Sequence, residues 1–511
     1  MDSTLKRAIS TSRFIILMIF FNQLLGLTKQ MLIAYKLGSG AETDAYFTAI
    51  IATILLANII GEAISLGTEP ILSKIENKKG KEHKLNYVNN LLHIVILLAI
   101  GILVLHWLLS PIIIKILVRG IEGKNLQDML KLVRVGLPMG LFILIRAIFI
   151  AFLHSEDSPK SEFKSCLFYY AAYILFLTYF SHHGIHGLII TGIVASILQL
   201  CSIIPTAVAK GYRYKAILNF QSIYLREFFI ALWPVVLGTS INMINVAVDK
   251  SFASTLITGS KSWLNYSDVI IHVAIGILVM GMIIIVIPAL GKRFAGNDIT
   301  SLKSLMDKGM HMVTSVVLPA MIVIITLANP IVKLLFERGK FAPADTLITS
   351  QVLIHYALGL VGIAIMLILI NCHYAIHDPI TSTKFVTLGV IINFILNWIL
   401  INPMAVHGLA LATSLSNTLV AALLIWNINK DTHIVDMKKV GKGLLRLFPI
   451  LVTMAIVLLL TYNILNLIPW ENTIMDMFQL LISIIAGIFI YSKLALKNEN
   501  KLLKVHEKGE A

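Results

Sequence analysis

Apolar runs of about 18 residues or more recur along the whole chain, broken by short polar stretches. Each is long enough to cross the roughly 30 Å hydrocarbon core of a bilayer as a helix. The pattern predicts fourteen such helices, at 13–36, 43–72, 87–114, 128–154, 163–181, 185–209, 224–252, 264–291, 309–335, 349–375, 383–402, 406–427, 445–467 and 473–495. An even number puts both termini on one side. The expected class is an all-α polytopic membrane protein. No polar segment is long enough for a soluble catalytic domain.

The chain also repeats itself. Pro70–Lys74 reads PILSK and Pro288–Lys292 reads PALGK. Ile185–Ser196 (IHGLIITGIVAS) is echoed by Val406–Asn417 (VHGLALATSLSN), and LLGLTK in the first span by VLGTSI in the seventh. The three offsets lie between 212 and 221 residues, in order. They predict two pseudo-symmetric six-helix lobes in parallel orientation, with two extra C-terminal helices. The expected limits are 1–215, 216–430 and 431–511, the last holding spans 13 and 14 and a basic tail. Two lobes of this kind suit alternating access, in which a central cavity opens first to one side and then to the other.

Composition agrees. The 511 residues are 57% hydrophobic and 14% charged, with a mean hydropathy of +0.85. The net charge of +15 could point to nucleic acid, but its placement points to a membrane. Of the 42 Lys and Arg, 29 fall on the side of the termini, ten on the other, and three inside spans. Basic residues are retained on cytoplasmic loops, so both termini are expected in the cytoplasm of a bacterial inner membrane. The basic, then apolar N-terminus is read as an uncleaved first span, since no small-residue cleavage site follows it. Three cysteines inside or beside spans imply no disulfide framework, and the isolated Cys372–His373 pair no metal site.

Polar residues inside spans mark the chemistry, because an ionisable group at mid-bilayer costs at least about 2.5–3.5 kcal/mol unless it meets water or a partner. Span 1 carries Gln23 and Lys29, with Gly26 between them as a candidate bend. Span 2 carries Asp44, Glu62 and Glu69. Span 4 carries Arg146. Span 7 carries Asn242, Asn245 and Asp249 on one face, and span 8 carries Asp268 and His272 at i,i+4. A cavity formed by the first two helices of each half would gather those of spans 1, 2, 7 and 8, with Arg146 able to face it from span 4. Each also has a plainer role. Asp44 and Asp268 would serve as helix caps, Lys29 as the partner of Glu62 or Glu69, and Asn242 and Asn245 as interhelical hydrogen bonds. No Walker loop and no metal-spaced His/Glu cluster is present, so no enzyme is read.

Three stretches then point to a family. GLTKQMLIAYKLGSGAETDAYF (26–47), LLFERGKFAPADT (Leu334–Thr346) and LNWILINPMAVHGLALATSLS (Leu396–Ser416) resemble the MurJ/MviN family of the multidrug/oligosaccharidyl-lipid/polysaccharide exporter superfamily. The resemblance covers nearly the whole chain. It implies fourteen helices in two lobes and a flippase that carries an undecaprenyl-pyrophosphate-linked saccharide, typically the peptidoglycan precursor lipid II, to the outer leaflet. It implies membrane lipids as further partners, no nucleic acid and a monomer. No cofactor is implied, only a coupling ion (sodium or proton) or the membrane potential. Several family arginines are missing: their places read Gln23 and Lys29 in span 1, Leu56–Ala57 in span 2, and Val269 in span 8. Lys29 is the cation that remains, and a lysine binds phosphate as a point charge rather than a fork. By family spacing a sodium ion would fall on Asn393, Asn397 and Thr413, with Asn397 where a carboxylate is expected. The loss of arginines leaves open another glycan lipid of O-antigen or capsule type, or a cation-coupled exporter of the same superfamily.

Overall fold

A computed structural model describes residues 3–279, 283, 299–375, 378–432, 437–468 and 473–509; the repeat match at Pro288–Lys292 lies outside them. The regular elements among the described residues are all helices. In order they form α1 (Ser3–Leu37), α2 (Ala41–Lys79), α3 (Lys81–Leu117), α4 (Gly123–Gly136), α5 (Pro138–Ser155), α6 (Lys160–Tyr179), α7 (Gly184–Ala209), α8 (Ile223–Ala253) and α9 (Ser260–Leu278). There follow α10 (Ile299–Thr326), α11 (Ala328–Phe336), α12 (Pro343–Ala357), α13 (Leu360–Ala375), α14 (Pro379–Thr432), α15 (Met437–Asn466) and α16 (Thr473–Gly509). Among the described residues, ten helices are long and apolar enough to cross a membrane, or eleven when Pro343–Ala357 and Leu360–His373, bent by 45°, count as one. That is a smaller number than the fourteen spans expected. One reason is α14, whose 54 residues turn back at Ala405 (φ 49°). The Asn393 amide donates to Thr413 Oγ1 across the turn, at 3.2 Å, so two antiparallel limbs lie side by side.

The chain packs as two compact units, Met1–Asn265 and Tyr266–Ala511. This division follows contacts, whereas the expected limit at 215 follows the repeat. The strap at 212–219 shows why α8 packs with the first unit. The Asn89 side chain donates to Arg213 O at 2.9 Å and accepts from Tyr212 Oη (2.9 Å) and Lys215 N (3.1 Å). Asn90 exchanges two further bonds with the Asn219 backbone. In the first unit α2, α3, α5 and α7 share a core that includes Leu72, Leu91, Ile148, Phe152 and Ile203. In the second, α10, α11, α15 and α16 bury Leu327, Met454 and Leu458.

Both units interrupt a helix at a similar place, although among the described residues only the second unit's pair, Pro343–Ala357 and Leu360–His373, is bent by more than 40°. An Arg-Gly turn with a left-handed glycine (Gly120, φ 74°; Gly339, φ 62°) precedes a short helix in each, α4 and α12. A second helix follows at once, after Leu137 in one case and Leu358 in the other. The positions differ by 219 and 221 residues, within the range of the sequence repeat. This echo was hidden in sequence because the two turns share little beyond Arg-Gly. The family-like stretch Leu334–Thr346 is built around the second turn. Phe336 and Phe341 are buried on the equally buried Tyr266, and Asp345 accepts the Ala342 N–H at 3.0 Å to start α12.

Small residues let α13 and α14 touch. A Cβ built at Gly359 would lie 2.6 Å from Ser414 Cα, and one at Gly362 would strike Thr418. The Ser414 hydroxyl meanwhile donates to His355 O at 2.6 Å. Because backbone cannot yield as a side-chain tip can, Gly359→Ala is expected to destabilise the protein by about 1–3 kcal/mol, the usual cost of overpacking. A lower thermal midpoint in detergent would register it, and an unchanged one would refute the close approach.

Candidate functional site

The middle of α1 holds the most telling charge. Lys29 has no carboxylate at ion-pair distance among the described residues. Its ammonium lies instead over the Tyr173 ring, 4.8 Å from the centroid, with Tyr169 at 5.8 Å. Aromatic faces attract a cation without neutralising it, so the charge stays available to an anion. Both tyrosines stand on α6, one turn apart, with ring centroids 5.1 Å apart. The segment is anchored one turn and two turns away. The Asn22 amide donates to Phe163 O at 3.1 Å, and a Cβ at Gly26 would meet Tyr170 Oη at 3.3 Å. Gly26 therefore admits a tyrosine within an unbroken helix; it does not break the helix. The expected pairing of Lys29 with Glu62 or Glu69 is not formed. Glu69 and Glu162 flank His154 instead, at 3.5 and 3.0 Å. Glu62 is exposed on α2 and Gln23 half-buried on α1, with no hydrogen bond of either among the described residues. Arg146 on α5 keeps one buried guanidinium nitrogen without a hydrogen-bond partner. Its neighbours on α6 are Glu162 and Cys166.

Asp44 does not cap its own helix. Gly40 is the N-cap of α2 and makes no side-chain cap bond. The Asp44 carboxylate turns to the start of α9, accepting from Gly259 N (2.8 Å), Ser262 N (2.8 Å) and Ser262 Oγ (2.6 Å). A carboxylate at a helix N-terminus answers the orphan N–H groups and the positive end of the dipole. Around it the Lys261 ammonium donates to Thr48 Oγ1 at 2.9 Å, and Trp263 Nε1 donates to Ser39 Oγ at 3.1 Å. Lys250 donates to Lys261 O at 3.3 Å, and both lysines are buried. Lys261 falls between the expected spans 7 and 8, where a solvated loop cation is expected; only the fold tucks it inward. On this basis Asp44→Ala is expected to weaken the latch by about 1.5–3 kcal/mol, the range for hydrogen bonds to a charged group. Hydrogen exchange across residues 259–263 should speed up, less so in Asp44→Asn, and unchanged protection in Asp44→Ala would count against the latch.

Asn245 on α8 has a buried side-chain oxygen without a partner, and Asp249 is half-buried one turn on. The side chain of Asn242 lies outside the described residues. Asp268 and His272 form the expected i,i+4 pair at 3.4 Å on an exposed face of α9. The expected cation residues do come together: the Asn393 amide reaches Thr413, and the Asn397 amide donates to Asn393 Oδ1 at 2.9 Å, both asparagines being fully buried. The Asn393 and Thr413 oxygens accept amide protons, and no carboxylate is part of the trio to balance a cation's charge. On charge, the fit to sodium is therefore poor. No group of three or more His, Cys, Asp or Glu placed to hold a metal occurs among the described residues.

A helical chain with long apolar spans, similarly interrupted helices in both units and an ammonium held over two tyrosine rings inside a span has the build of a membrane transporter. Its fold is that of a solved structure titled "Lipid II flippase MurJ, inward closed conformation", with a TM-score of 0.79 and 24% identity over 95% of this chain and 99% of the other. It is also the fold of an inward-facing multidrug resistance MATE family transporter of the MOP superfamily (TM-score 0.69, 13% identity, 81% and 95% coverage). The family described as "Lipid II flippase MurJ" matches residues 33–480, and the chain belongs to that family. Similar relatives are a probable lipid II flippase MurJ of Buchnera aphidicola subsp. Baizongia pistaciae, 25% identical over 90% of each chain, and one of Vibrio cholerae, 26% identical over 82% of each. The family is one of transporters, not of enzymes.

Proposed function

We propose that this protein flips lipid II, a polyprenyl-pyrophosphate-linked saccharide, from the cytoplasmic to the outer leaflet of a bacterial inner membrane. The observation that carries the reading is the uncompensated Lys29 ammonium, set in the middle of a spanning helix in a chain of this family. A diphosphate headgroup supplies the anion that the two tyrosines cannot. Fourteen crossings in two pseudo-symmetric lobes, worked by alternating access with both termini cytoplasmic, accord with the recurring interrupted helix, the folded-back α14 and the placement of Lys and Arg. The Asp44 latch is then a closure at the outer face that must open once per cycle. The Asn393, Asn397 and Thr413 trio, which lacks a carboxylate, gives no support to a coupling cation. Membrane potential suits the transport of a charged headgroup, at about 2.3 kcal/mol per charge per 100 mV. The protein acts as a monomer on this reading.

Expression in a bacterium depleted of its own lipid II flippase tests it. Growth and lipid II labelling at the outer face should both return. If lipid II stays inside while a surface glycan is restored in a mutant lacking that glycan's flippase, the substrate is a different glycan lipid.

A further inference from the structure

We infer that the bilayer-facing surface of α6 and α7 is a binding site for a membrane phospholipid with an anionic headgroup. A groove of about 580 Å³ runs between these helices, and no residue proposed above for substrate handling lines it. Its floor and walls are apolar: Leu175, Phe176, Phe180, Ile190, Val194 and Leu198. Its size falls within the about 300–1,000 Å³ of pockets that hold ligand-sized molecules. It forms because Gly187 has no side chain, so that the Phe176 ring lies where a Cβ would stand. Inside a bilayer such a slot cannot hold water and is filled by hydrocarbon.

The polar end of the groove gives the headgroup. His183 and His186 belong to its lining, and His182 stacks on His183 with 4.0 Å between ring centroids. All three imidazoles are exposed, at the turn between α6 and α7, where a helix meets the membrane surface. No Asp or Glu lines the groove, and none occurs between residues 163 and 226. A cluster of imidazole N–H donors, with no carboxylate in the lining to repel an anion, is complementary to a phosphate that adds no cation of its own. An acyl chain in the slot and a phosphodiester on the histidines satisfy both ends together. A zwitterionic lipid satisfies the slot alone.

Native mass spectrometry of the full chain in detergent, titrated with phosphatidylglycerol and with phosphatidylcholine of the same acyl chains, tests this. Phosphatidylglycerol should be retained at about fivefold lower concentration, the effect of about one charge near a membrane surface. Ile190→Trp, at an exposed groove position where folding is not at stake, should lose both adducts while its melting temperature holds. The double variant His183→Ala/His186→Ala should keep phosphatidylcholine binding and lose the preference. Equal retention of the two lipids by the wild-type chain would overturn the headgroup assignment. Undiminished adducts in Ile190→Trp would overturn the site. Displacement of phosphatidylglycerol by an equal amount of undecaprenyl phosphate would make the groove a subsite for the transported lipid instead.

Discussion

Lys29→Ala should fail to sustain growth in the depleted strain, with outer-face lipid II falling about 10- to 100-fold, while Lys29→Arg keeps most of the activity. The estimate follows from losing a charge-assisted contact of about 1.5–3 kcal/mol. Arginine retains the charge and offers a fork that suits phosphate at least as well. The readout must be transport set against protein level, because Lys29 also packs on Tyr173. Tyr173→Phe keeps the ring face and should behave as wild type, whereas a loss in Tyr173→Phe equal to that in Lys29→Ala would mean that the hydroxyl, not the cation, matters. If Lys29→Ala transports normally, the cation has no part in handling the headgroup.

The second large effect is one of stability. Lys84 lies at the start of α3 and is fully buried, although its surroundings in sequence, KKGKEHK, look like a solvated loop. Its ammonium meets Glu76 Oε2 and Glu156 Oε1, each at 2.7 Å, and donates to Ser155 O at 3.3 Å. Lys84→Met should destabilise the protein by up to about 3 kcal/mol, since Glu156 loses one of its two ammonium partners and keeps only Lys81 at 2.9 Å. Adding Glu156→Gln should recover a good part of the loss, because the half-answered charge is then gone. A thermal midpoint indifferent to Lys84→Met would rule the network out as a structural element. The same contacts set an acid limit. Burial acts to raise the Glu156 carboxyl, but the Lys84 and Lys81 ammonium groups outweigh it and hold it below its ordinary value of 4.5. A depressed carboxylate contributes stability above that ordinary value and loses it as pH falls through the lowered one. Wild type should therefore lose stability below about pH 4.5, and the Glu156→Gln variant less steeply.

Much of the candidate site could be read from the chain. Lys29 was identifiable because an ammonium group in a spanning run is costly and so is kept for a reason. Asp268 and His272 were identifiable because helical spacing alone brings i and i+4 together. The partners were a different matter. Lys29 was expected beside a carboxylate, and the structure gives it Tyr169 and Tyr173, which sequence places 140 residues or more away. Asp44 was open to being a cap for α2, and it caps α9 instead, more than 210 residues on. A tyrosine pair on an apolar helix resembles any other packing pair until the neighbouring helix is known.

The sequence by itself determined that this is an α-helical membrane protein, that short motifs recur at nearly one offset, which sides its loops occupy by expectation, and which family it resembles. These follow from local quantities: the length of an apolar run, the count of basic residues, and motifs read in order. Tertiary structure decided what each buried charge is used for. It turned Lys84 and Lys261 from loop cations into interior ones, exposed the Arg-Gly interruption common to both units, and joined the α1–α2 turn to the start of α9. Those outcomes depend on contacts between residues far apart in the chain, and the desolvation that gives a charge its energetic weight exists only after such contacts form.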